Sequence, residues 1–116
     1  MNTKYLGAAL VTPLLLMPIP ADAATPTLKG VVGPDHTITL KRGGKEVHSL
    51  KAGKYIVKVT DKSDMHNFHL KGPGVNKATS VSKVYKVTWK VKLKKGKYRF
   101  VCDPHASSMS GSFSVK

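Results

Sequence analysis

Residues 87–102 read VTWKVKLKKGKYRFVC, and the apolar side chains in this stretch recur every second position. Val87, Trp89, Val91 and Leu93 alternate with Thr88, Lys90, Lys92 and Lys94; past Lys95-Gly96, Tyr98, Phe100 and Cys102 share one parity. A period of two places alternate side chains on opposite faces of a β-strand, so the stretch predicts two strands joined by a tight turn. With the apolar parity facing inward, Cys102 emerges at the end of a core-facing stripe. The same alternation holds for Tyr55, Val57 and Val59, and Phe113 and Val115 share a face. Turn chemistry at Gly33-Pro34-Asp35, Arg42-Gly43-Gly44-Lys45, Lys51-Ala52-Gly53, Asp61 to Asp64, Gly72-Pro73-Gly74 and Lys95-Gly96 divides the chain at the spacing of a β-sandwich or small barrel. An all-β sandwich of about seven to eight strands is expected. Residues 24–35 form a polar lead-in expected to add an edge strand.

The first 23 residues differ from the rest. Lys4 is followed by an apolar run from Tyr5 to Ile19, broken by Pro13 and Pro18, and then by Ala21-Asp22-Ala23. This is the pattern of a secretory signal peptide with an A-x-A cleavage site, and the run is too short and proline-interrupted for a membrane span. Residues 1–23 are read as that signal and residues 24–116 as one domain. That leaves 116 − 23 = 93 residues, with 20 − 1 = 19 Lys plus Arg against 6 − 1 = 5 Asp plus Glu, a net charge of +14. One cysteine rules out an internal disulfide, so the core, or a metal, must hold the domain together. The positive charge predicts steering toward an acidic partner or an anionic membrane or cell-wall surface, weakening as salt rises. No basic stretch with interleaved exposed aromatics points to a specific nucleic-acid interface.

The chemistry concentrates near the C-terminus. Cys102, Asp103, Pro104, His105 and Met109 lie within eight residues, and His66-Asn67-Phe68-His69 supplies a second imidazole. One thiolate, two imidazoles and a thioether make the donor set of a mononuclear type 1 copper site; sulfur favours Cu(I) and imidazole accepts both oxidation states. Alternation puts His66 and Phe68 on one face and Asn67 and His69 on the other, so one of the two histidines reaches the metal. His36 and His48 are expected to face solvent, and Met65 to pack.

In these residues the chain resembles the plastocyanin-like branch of the cupredoxins, the blue-copper electron carriers. Cys102-Asp103-Pro104-His105 is similar to their Cys-x-Pro-His, Met109 to their axial methionine, and His66-Asn67 to their first ligand with its asparagine. The resemblance covers roughly residues 35–116. It implies a Greek-key sandwich, a single copper ion held by His66, Cys102, His105 and Met109, and Asn67 reaching across to the backbone near Asp103. Three residues separate His105 from Met109 where the plastocyanin pattern commonly has four.

The function expected is a small periplasmic or secreted protein, monomeric and not an enzyme, that carries single electrons between redox partners. The electron would leave by the edge of His105 through an apolar patch around Ala106 and Gly74. Copper storage, delivery or resistance is the alternative use of the same ligands. A copper enzyme would need further domains and further histidines between them.

Overall fold

The computed structural model describes residues 25–116; the expected signal segment 1–23 lies outside them. The strands are β1 (Thr27–Val32), β2 (Ile38–Arg42), β3 (Lys45–Glu46), β4 (Ser49–Leu50), β5 (Gly53–Asp61), β6 (His69–Gly72), β7 (Val75–Ala78), β8 (Tyr85–Leu93), β9 (Gly96–Val101) and β10 (Ser110–Val115). They form two five-stranded sheets, ordered β3-β2-β1-β5-β8 and β4-β10-β9-β6-β7. The all-β sandwich expected from the alternation is the architecture observed. Eight of the ten strands have four residues or more; β3 and β4, of two residues each, are too short to display a period.

Each sheet turns its apolar parity inward. Val57 and Val59 of β5, Trp89, Val91 and Leu93 of β8, and Tyr98 and Phe100 of β9 are buried, while Lys58, Lys90, Lys92 and Arg99 between them are exposed. Phe68 and Phe100 stack at 5.7 Å between ring centres, as do Tyr98 and Phe113 at 5.3 Å, within the range of favourable offset pairs. Cys102 follows the stripe of Tyr98 and Phe100 directly and is fully buried.

The lead-in is not an edge strand. β1 lies between β2, antiparallel, and β5, parallel, with Leu28 and Val32 fully buried. Its apolar residues pair in the centre of the sheet, and the edge falls to β3 and β8 instead. A second parallel pairing joins β10 to β4. The chain crosses from one sheet to the other between β3 and β4, β4 and β5, β5 and β6, β7 and β8, and β8 and β9, as in a Greek-key sandwich.

Candidate metal centre

The site is built at one end of the sandwich from three loops. The first follows β9: Cys102 leads into a 3-10 turn at Asp103–His105, and the chain returns through Met109 to β10. The loop closes on itself. The His105 N–H donates to the Cys102 carbonyl at 3.0 Å, the Met109 N–H to the His105 carbonyl at 2.8 Å, and the Cys102 N–H to the Met109 carbonyl at 3.0 Å. Arg99 of β9 braces it, its guanidinium donating to the Ala106 carbonyl at 3.1 Å. Met109 is buried in the core.

The second loop joins β5 to β6 and carries His66. His66 lies in the segment just before β6, which begins at His69. Buried polar bonds hold this segment. The Asp61 carboxylate accepts from the Ser63 N–H at 3.1 Å and the Thr79 hydroxyl at 2.8 Å, and the same hydroxyl accepts from the Phe68 N–H at 2.8 Å. Burial pushes the Asp61 carboxyl above the usual carboxylate range, and the hydrogen bonds from Thr79 and Ser63 only partly offset it.

Asn67 fastens the two loops together. It is 2% exposed; its Oδ1 accepts from the Asp103 N–H at 2.8 Å, and its Nδ2 donates to the Asp103 carboxylate at 2.9 Å and to the Thr79 carbonyl at 3.2 Å. His69 also lies on this side, against Asp103 at 2.9 Å, with its other ring nitrogen on Asn76. His66 turns the opposite way and is buried, as alternation required.

The sulfur and two ring nitrogens converge. Cys102 Sγ lies 3.6 Å from His66 Nδ1 and 3.6 Å from His105 Nδ1, and the two nitrogens are 3.2 Å apart. A triangle with sides of 3.6, 3.6 and 3.2 Å is centred about 2.0 Å from each corner, close to metal–imidazole and metal–thiolate bond lengths. Three lone-pair donors aimed at one point fit a soft metal ion and satisfy one another poorly as hydrogen-bond partners. Burial, then the neighbouring imidazoles of His105 and His36, hold the His66 imidazole below its ordinary pKa, keeping its lone pair free.

The third loop, between β1 and β2, brings what sequence reasoning missed. His36 is solvent-exposed as expected, yet its ring lies edge-on to both His66 and His105, with centres 4.9 and 4.6 Å apart. The three histidines each bring a ring nitrogen within 4.8 Å of the others. Gly33 permits this approach: its φ is +73°, and a side-chain carbon there would stand 2.8 Å from Ser63 Cβ. The Gly-Pro-Asp turn was the one available signal, and it does not say which loop it meets. Two other placements differ from expectation. Gly74 lies at the far end of the sandwich, beside Lys94 and next to Pro73, whose carbonyl accepts from the Tyr98 hydroxyl. Met65, next to His66, does not pack but is 67% exposed.

Asp103 makes the clamp sensitive to acid. Burial acts to raise its pKa, but hydrogen bonds from Asn67 and His69, with the charges of His69 and Lys71, outweigh it and hold the carboxyl below its ordinary value. A carboxylate with a lowered folded-state pKa stabilises the fold above the unfolded-state pKa, and that contribution fades as pH falls through the folded value. Asp103→Asn is therefore expected to show a smaller loss of urea midpoint than the parent between about pH 5 and pH 2. Equal losses in metal-free protein would remove Asp103 from the acid response.

A model of copper-binding proteins of the plastocyanin/azurin family matches residues 34–116. Among solved structures, a rusticyanin variant at 1.5 Å resolution aligns with a TM-score of 0.57 at 21% identity, covering 78% of this chain and 76% of that one. Rusticyanin from Thiobacillus ferrooxidans gives 0.53 at 22% with the same coverage, and reduced rusticyanin 0.54 at 21%, with 78% of each chain covered. At these identities the likeness shows the shared fold. Comparison with the sequences of curated proteins gave no match. The family match over most of the described domain agrees with the sandwich and with its converging thiol and imidazoles: the chain belongs to the plastocyanin/azurin family of copper-binding proteins.

Proposed function

We propose that this domain is an extracytoplasmic carrier of single electrons, exported by the 1–23 segment, with His66, Cys102, His105 and Met109 holding one copper ion. The supporting observation is the convergence of Cys102 Sγ, His66 Nδ1 and His105 Nδ1 on one point from two loops that Asn67 ties together. When bound, copper supplies a one-electron couple between Cu(I) and Cu(II).

The chain's own part is to hold its donors still. Cys102 offers the thiolate, His66 and His105 the two imidazoles, and Met109 a thioether from the core side. The closed 102–109 loop and the buried Asp61–Thr79 bonds resist rearrangement when the charge at the site changes, which lowers the cost of each electron step. His105 is only half-buried, so its outer edge is the exit. Pro104 and Ala106 beside it, and the exposed Met65 beside His66, give a contact surface with few charges. The +14 charge draws an acidic redox partner from a distance, while this end makes the close contact. No bond-making step is assigned to the chain, which is read as a monomer and not as an enzyme.

One observation favours the second reading, copper storage or delivery. His36 places an exposed imidazole beside His66 and His105, a position from which a metal ion could be passed inward. Copper exchange into a mild Cu(I) chelator, measured beside electron exchange between oxidised and reduced protein, separates the two. An electron carrier keeps its copper over many turnovers of electron exchange; loss of copper faster than electron exchange would overturn the proposal in favour of delivery.

A further inference from the structure

The lysines are not spread evenly over the sandwich. On the outward face of the β3-β2-β1-β5-β8 sheet, Lys41 stands opposite Lys29, and Lys29 opposite Lys58. Lys54 stands opposite Lys92, Ile56 opposite Lys90 and Thr60 opposite Lys86. All seven lysines are exposed. Adjacent strands lie about 4.8 Å apart, and like charges placed directly opposite destabilise a sheet. Among the described residues the one ion pair within 4.0 Å is His69–Asp103, on the other sheet. Glu46, opposite Lys41 at the β3 edge, makes none. The face thus carries an uncompensated charge lattice that folding alone does not call for.

The lattice contains two shallow seats. In one, Lys29, Lys58 and Lys86 surround Thr60, Thr88 and Val31; in the other, Lys54, Lys90 and Lys92 surround Ile56. Three ammonium groups, two hydroxyls and a small apolar floor suit a phosphodiester attached to something greasy. We propose that this sheet face docks on an anionic phospholipid bilayer, with its lysine rows on the headgroup phosphates. This goes beyond the electron-carrier reading and does not depend on the metal.

Three features select a lipid surface over other polyanions. The outward residues of this face include no aromatic ring, so it offers no stacking platform for single-stranded nucleic acid. Its cations are lysines without arginine, point charges rather than the bidentate forks that read nucleic-acid phosphates and bases. The face is also five strands wide and broad, whereas the close redox contact lies at the end of the sandwich. Docked flat, the domain lies on its side with His105 open laterally to a partner on the same surface.

Residues 24–116 contain the whole described sandwich and its core and serve as the test protein. Binding is measured by co-sedimentation with vesicles of phosphatidylcholine alone and of phosphatidylcholine mixed with phosphatidylglycerol. Two variants of equal net charge are compared: K29Q/K58Q/K90Q on the proposed face, and K71Q/K77Q/K97Q on the other sheet. Circular dichroism and thermal midpoints serve to check that both variants are folded. Binding to the anionic vesicles alone, weakened about a hundredfold in the first variant and less than about tenfold in the second, is the expected result. Equal losses in both variants would overturn the proposal, as would equal binding to neutral vesicles. Binding to soluble polyglutamate in place of vesicles, lost in the first variant, would reassign the face to an acidic protein and overturn it too.

Discussion

Cys102→Ser is expected to abolish the intense visible absorption that the copper-loaded protein should show, together with the narrow copper hyperfine splitting in its EPR spectrum. Both signatures arise from a covalent copper–thiolate bond, and Cys102 is the chain's one thiol. The substitution is nearly isosteric at a fully buried position, and the new hydroxyl can bond to His66 Nδ1 or His105 Nδ1, each 3.6 Å from the present sulfur. The variant should therefore fold, so the loss is one of chemistry. Its affinity for Cu(I) should fall by more than the ~100-fold typical of losing an outer hydrogen-bond partner, because the softest donor is gone. A parent protein with weak absorption and ordinary splitting, unchanged in the serine variant, would take Cys102 out of the site.

Asn67→Ala is expected to have the largest effect of any substitution outside the donor set. It removes three hydrogen bonds at a position 2% exposed and leaves the Asp103 N–H and the Thr79 carbonyl without this partner. The loss is about 2–4 kcal/mol, or about 10–25 °C in the midpoint of a domain this size. With the loops untied, copper affinity should drop about 10- to 100-fold. Asn67→Asp is the informative partner variant: it keeps the Oδ1 acceptor for the Asp103 N–H but sets a second carboxylate against Asp103. It should destabilise at neutral pH and recover partly in acid, whereas the alanine variant should not. Thermal melts of metal-free protein at pH 4 and pH 7 decide the matter, and an alanine midpoint within a few degrees of the parent would contradict the clamp.

Strands β5, β8, β9 and β10 were legible because one parity of each stretch is apolar, and the inward burial of Val57, Trp89, Tyr98 and Phe100 follows from it. That Cys102, His105 and Met109 share one loop was legible because they lie within eight residues, where sequence distance bounds spatial distance. Asn67 and His69 facing away from His66 is the same parity acting again. Other features were beyond the sequence because parity fixes a side chain's face but not its strand's neighbours. Nothing in residues 24–35 says that β1 pairs parallel with β5 in mid-sheet, and the apolar content of six residues suits an edge or a centre equally.

The convergence of His36 on His66 and His105 depends on that placement, since the turn after β1 reaches the metal end only because β1 runs alongside β5. The lysine lattice shows the same division. Alternation determined that Lys58 points to solvent; Lys29 and Lys41 stand outward beside it in the structure. Only the register of β2, β1 and β5 set them opposite one another on one face, because long-range pairing is chosen by the packing of the whole core and not by any one strand.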